Sequence, residues 1–172
     1  NTRRTKMFKK TSFAFIAALI AAPAFSADVP ITGTIQAKCS IYTDVQGVYG
    51  SPLPNTLSTA PADGGVDPIF RIDVAKAGYY IARVSTPTEF TSSPSLTDNI
   101  TWTGTVEVSE VSDAGMSAYE TNKVEYNNTT EYDLTIAGTT WFKASSKAEY
   151  GVDKSLPAGT YRSAITVECV AK

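Results

Sequence analysis

Hydrophobic and polar residues alternate in short runs along most of the chain. In VPITGTIQAKC, residues Val29 to Cys39, steps of two place Val29, Ile31, Gly33, Ile35, Ala37 and Cys39 on one side, with Pro30, Thr32, Thr34, Gln36 and Lys38 on the other. That is the period of a strand with one apolar face. Five later runs read the same way: Ile69 to Ala75, Tyr79 to Ser85, Asn99 to Ser109, Glu131 to Ala137 and Thr160 to Val170. In the last of these, Tyr161, Ser163, Ile165, Val167 and Cys169 share a face opposite Arg162, Thr166 and Glu168. Clusters of Gly, Pro, Asn and Ser separate the runs, including GSPLPN, APADGGVDP and KSLPAGT. Threonine, valine and tyrosine recur where a helix would favour alanine, leucine and long charged side chains. The pattern predicts an all-β antiparallel sandwich without helical units. Gly50 to Pro68 is expected to be its longest irregular connection, a surface crossover.

The first part of the chain breaks this pattern. Met7-Phe8-Lys9-Lys10 is followed by an apolar run from Ser12 to Ala22, the length of a signal-peptide core and too short to anchor in a bilayer. Ala24 and Ser26 fit a cleavage site after Ser26, and Asn1 to Lys6 read as upstream translated sequence, so residues 1–26 are expected to leave no mark on the fold. Their removal changes the charge. The chain holds 15 Lys and Arg against 17 Asp and Glu; losing Arg3, Arg4, Lys6, Lys9 and Lys10 leaves ten against 17, a net of about −7. Such a balance argues against binding nucleic acid or an anionic membrane through a basic face. The remainder is of a size to form one domain with its own core.

Only two cysteines are present, Cys39 and Cys169. In an exported chain they are expected to form one disulfide, closing a loop of about 130 residues worth roughly 5 kcal/mol by chain-entropy reasoning. A thiol nucleophile would need a basic partner, and the chain has no histidine. The same absence removes a Ser-His-Asp triad and the commonest nitrogen ligand of zinc. Glu107 and Glu110 could serve as a glycosidase pair only if both faced a cleft, and solvated strand positions explain them better. Asp63 and Asp67 lack the ligand spacing of a calcium loop and read as a polar turn. Trp102, Trp141, Phe142, Tyr79 and Tyr80 suit either a sugar-stacking platform or a sandwich core, of which the core is preferred. No catalytic residue, metal or cofactor is expected.

ITGTIQAKC at Ile31 to Cys39, with its apolar-x-Gly-x-apolar order before a cysteine, and LPAGTYRSAITVECV at Leu156 to Val170 carry a resemblance. The first is similar to the N-terminal extension of chaperone-usher pilins. The second resembles the run into the last strand of their colonisation-factor and archaic types, and Ser93 to Ser109 is similar to a central strand pair of the former. The resemblance implies an immunoglobulin-like antiparallel β-sandwich at 39–172 that lacks its final strand, preceded by a donor-strand extension at 27–38. The groove between first and last strands would be filled first by a periplasmic chaperone and then, at an outer-membrane usher, by the extension of an identical subunit. On that reading Val29, Ile31, Ile35 and Ala37 are the plugs, Gly33 sits where the groove is shallow, and Ile165 and Val167 line the groove. The pairing of Cys39 with Cys169 departs from many such pilins, and a donor strand between them would separate their Cα atoms by about two spacings of 4.7–4.9 Å, beyond the disulfide limit of roughly 7 Å. The bridge is therefore expected beyond the donor strand's end. The terminus ECVAK also lacks the penultimate tyrosine of many subunits.

The expectation is a structural, non-enzymatic subunit of an adhesive fimbrium, exported through the periplasm to the bacterial cell surface. Its partners would be identical subunits, the chaperone and usher, and a host or surface receptor that the sequence does not identify. The alternative is a self-contained secreted immunoglobulin-like module that binds a glycan or surface partner through Trp102 or Trp141.

Overall fold

The structure is a computed structural model that describes residues 32–172; Val29, Ile31 and the leader call on residues 1–26 lie outside the described residues. From Thr34 onward the chain forms one compact unit. In chain order its strands are β1 (Cys39–Val45), β2 (Gly50–Leu53), β3 (Thr56–Ser58), β4 (Ile69–Val74), β5 (Tyr80–Ser85), β6 (Ile100–Thr103) and β7 (Val106–Val111). After a helical turn, α1 (Tyr119–Asn122), come β8 (Val124–Tyr126), β9 (Thr129–Leu134), β10 (Gly138–Ala144), β11 (Lys147–Tyr150) and β12 (Thr166–Ala171). All paired strands are antiparallel, in three sheets ordered β1-β4-β10-β7, β2-β3-β11-β6 and β12-β5-β9-β8. The fold is thus the all-β sandwich that the alternation predicts.

The first and last of these sheets close on one core. Phe70, Ile72 and Val74 alternate inward from β4, and Phe142 and Ala144 from β10, with Ala82 and Val84 of β5 and Tyr132 and Leu134 of β9 supplied by the other sheet. Phe70 and Phe142, cross-strand partners, stack at 5.4 Å, and Tyr132 leans on Phe142 at 4.9 Å. Such pairs add to the area they bury because offset aromatic faces attract. The Tyr132 hydroxyl, carried into this interior, donates to the Val106 carbonyl at 2.9 Å. Burial pushes that phenol well above its ordinary value, with Glu120 and other carboxylates adding to the shift.

The structure divides one element that the sequence joins. Asn99 to Ser109 becomes β6 and β7, interrupted at Gly104-Thr105, and β10 gives way to β11 at Ser145-Ser146. These breaks lie side by side: Ser145 N–H donates to the Thr105 carbonyl at 2.8 Å, while Thr105 N–H donates to Ser145 Oγ at 3.1 Å. The first sheet turns there into the second. The Gly50 to Pro68 connection is not irregular as expected. It contains β2, β3 and a 3-10 turn at Pro61–Asp63, with Thr56, Leu57, Ser58 and Thr59 buried. Its inward polar groups are paired, since Thr59 Oγ1 donates to Asp67 at 2.7 Å and Ser58 Oγ accepts from Ala60 N–H at 3.2 Å. The last strand begins at Thr166 rather than Thr160; Thr160 to Ile165 instead follow the loop at Thr91-Ser92, where Ser92 and Arg162 form an isolated bridge. Thr32 to Lys38 belong to no strand and are exposed. A strand pattern needs a ladder partner to become a strand, and of these residues Lys38 carbonyl alone is seen to accept a backbone bond, from Ala75 N–H at 2.9 Å.

Candidate functional site

The amphipathic strands at the two ends of the domain sit at the edges of different sheets. Among the described residues β1 pairs only with β4, and β12 only with β5. Cys39 at the start of β1 is bonded to Cys169 near the end of β12, with Cα atoms 6.3 Å apart. From this bridge β1 runs outward and β12 runs inward, so the two strands are antiparallel neighbours without being hydrogen-bonded to each other. Beyond the bridge lies a cleft of about 860 Å³. Thr43 of β1 lines it on one side, Ile165 and Val167 on the other, and Leu57 and Phe70 at its base.

The lining of this cleft is mixed, with Leu57, Phe70, Ile165 and Val167 beside Gln46, Thr59, Thr91 and Arg162. Ile165 and Val167 are half-buried and pack on the core from one side. On β1 and just after it, Ile41, Val45 and Val48 are 40%, 36% and 55% exposed. Exposed apolar side chains on strands whose edges are unpaired among the described residues combine two features that soluble folds ordinarily cover. One set of polar contacts spans the cleft. Tyr49, from the connection between β1 and β2, lines the cleft, and its hydroxyl shares hydrogen bonds with Ser146 Oγ at 2.9 Å and Ser163 Oγ at 2.6 Å. Phe90 meets Tyr49, Tyr161 and Trp102 edge-on at 6.4, 5.1 and 4.7 Å, forming an aromatic group beside the open end. Burial raises the Tyr161 phenol above its ordinary value, and its hydroxyl donates to the Pro157 carbonyl at 2.7 Å.

The structure brings some of the sequence-selected residues together and scatters others. Cys39, Cys169, Ile165 and Val167 meet at this groove, with Ile165 just before β12 rather than within it. Gly33, Ile35 and Ala37 are exposed, Ile35 at 84%. The aromatics do not make one platform. Phe142 is core, Trp102 packs on Phe90, and Trp141 lies on the outer face of β10, where its indole N–H donates to Asp44 at 3.0 Å. That outer face carries a cross-strand row: Tyr42 opposite Arg71, Arg71 opposite Trp141, and Trp141 opposite Glu110. The Arg71 guanidinium lies 4.7 Å from the Tyr42 ring centre and pairs with Asp44. Glu107 is held by Lys143 at 2.6 Å on the same sheet, and both glutamates stand exposed on the outer face of β7, outside the lining of the cleft. Asp67 accepts from Thr59 and Asp63 ends the 3-10 turn, the polar turn expected there. Among the described residues no group of three or more His, Cys, Asp or Glu is placed to hold a metal ion.

Sequence reasoning missed Tyr49 and Leu57. Leu57 falls in the Gly50 to Pro68 stretch expected to be irregular, and Tyr49, just before it between Gly47 and Gly50, carries no periodic signal. No family model, no curated protein and no solved structure matches the chain.

Proposed function

We propose that this protein is a structural subunit that polymerises by strand addition, in the manner of the chaperone-usher pilins its ends resemble. The observation that carries the reading is the groove between β1 and β12, two strand edges that have, among the described residues, no strand between them and that hold Leu57, Phe70, Ile165 and Val167 in their cleft. A segment of complementary pattern, Val29 to Ala37, precedes that same groove in the chain. An extended segment entering the groove would add backbone hydrogen bonds to both edges and place alternate side chains into its base. Burying Val29, Ile31 and Ile35 is worth about 5–9 kcal/mol before ordering costs, at roughly 1.5–3 kcal/mol each. Some ten ladder hydrogen bonds add roughly 0.5–1.5 kcal/mol apiece. Because the donating segment and the receiving groove are different surfaces, the contact is heterologous and repeats without closing, which makes a filament.

In this reading the chain is exported to the bacterial surface, with a chaperone covering the groove before an usher exchanges it for the next subunit. Enzymatic activity has no place in it. The test is to compare the chain with a form lacking residues 27–37 and with a form in which residues 27–38 are appended after Lys172 through a flexible linker. The unmodified chain should self-associate, the deleted form should not, and the appended form should be a monomer of clearly higher thermal stability. A deleted form that is as stable as the appended one, or an appended form that gains nothing, sinks the proposal.

A further inference from the structure

The groove is closed at one end and obstructed part-way along, and together these fix how a strand can lie in it. The Cys39–Cys169 bond ties the edges at one end. The body of an incoming copy begins where its extension ends, at its own Cys39, so that body must stand outside the open end. The residue-38 end of the extension therefore lies at the open end and the Val29 end points toward the bridge, antiparallel to β12. Counted outward from the bridge, the inward positions of the receiving edge are Val167, Ile165, Ser163 and Tyr161, which keep strand alternation although only Val167 lies within β12. The first two are apolar. At the third, Tyr49 reaches across from the β1 side to bond Ser163, so its ring occupies the groove at that level.

We propose that Tyr49 is the residue that sets the register of the incoming strand, by filling the groove at Ser163 so that only Gly33 of a second copy fits there. The inference rests on the strand-addition reading above. In this register Val29 faces Val167, Ile31 faces Ile165, Gly33 faces the Tyr49–Ser163 pair, and Ile35 reaches Tyr161. A slip by two residues in either direction sets Ile31 or Ile35 against the tyrosine ring and its hydroxyl bonds, a steric and a polar mismatch at once. Odd slips turn the polar face inward. Ser146, the second partner of the Tyr49 hydroxyl, holds the ring in place from the base of the cleft.

The experiment crosses two acceptors with two donors. The acceptors are the full chain and its Tyr49→Ala variant, and the donors are fluorescently labelled peptides of residues 27–38, with glycine at 33 or with the G33L change, read by anisotropy. The unmodified chain should bind the glycine peptide and reject the G33L peptide by roughly tenfold or more, the usual scale of forcing a side chain into filled space. Tyr49→Ala should bring the two peptides to within about threefold of each other, because the ring that excludes the leucine is gone. If Tyr49→Ala does not fold, Tyr49→Val removes the ring equally and serves the same comparison. Equal rejection of the G33L peptide by both acceptors overturns the role of Tyr49 while leaving strand addition standing. Failure of the unmodified chain to bind either peptide at a dilution where it is monomeric, its groove free of other copies, overturns both.

Discussion

At the scale of single residues, stability rests on a few buried groups whose partners are identifiable. Tyr132 is fully buried and its hydroxyl has one acceptor, the Val106 carbonyl, which Lys123 Nζ also reaches at 3.2 Å. Tyr132→Phe keeps the ring against Phe142 and leaves that carbonyl a donor, so it should cost only about 0.5–1.5 kcal/mol in a urea titration. Phe142→Ala removes a side chain packed on both Phe70 and Tyr132, and should cost about 3–5 kcal/mol. Glu131 offers a different test. The Arg83 guanidinium at 2.8 Å and the Tyr126 hydroxyl at 2.9 Å hold its carboxyl below the ordinary glutamate value of 4.5. The unfolded chain therefore takes up the proton first as pH falls. The stabilisation is complete above pH 4.5 and is lost as pH drops through the lower folded value. Urea midpoints measured from pH 7 down to 3 should decline in that window, and Glu131→Gln should make the decline shallower. Because the pair is partly exposed, salt should weaken the effect.

At the scale of elements, legibility followed the regularity of the alternation. β4, β5 and β9 bury every second residue, nearly all of them apolar, and their cores were readable. β10 was not, because GTTWFKA turns Thr140 inward and Trp141 outward, against the usual sorting by polarity. β3 was hidden for a related reason: its buried Thr56 and Ser58 look like loop residues until their hydrogen bonds are known. The two strands that border the groove were legible, through their alternation and the cysteines that they carry. The groove's obstruction at Tyr49 was not, since that depends on contacts to Ser146 and Ser163, 97 and 114 positions away. The division of Asn99 to Ser109 also has a local cause. A Cβ on Gly104 would stand 2.7 Å from the Ser145 carbonyl oxygen and 2.8 Å from Thr86 Cβ. Gly104→Ala must push the β6–β7 joint away from β10, and should cost about 1–3 kcal/mol in thermal or chemical denaturation.

At the scale of the whole molecule, the single disulfide joins strands of two different sheets. Replacing Cys39 and Cys169 together by serine should lower stability by about 2–5 kcal/mol. The larger consequence is mechanical. Two edges fastened at one end behave as a pair of tongs with a fixed pivot: they spread by rotation, most at the far tip and not at all at the fastening. A strand seated between them and pulled from the far tip is loaded lengthwise, in shear along every rung of its ladder, because the fastening stops the arms from parting ahead of it. A fibre assembled from such joints would resist tension with its whole overlap at once and would fail abruptly instead of peeling.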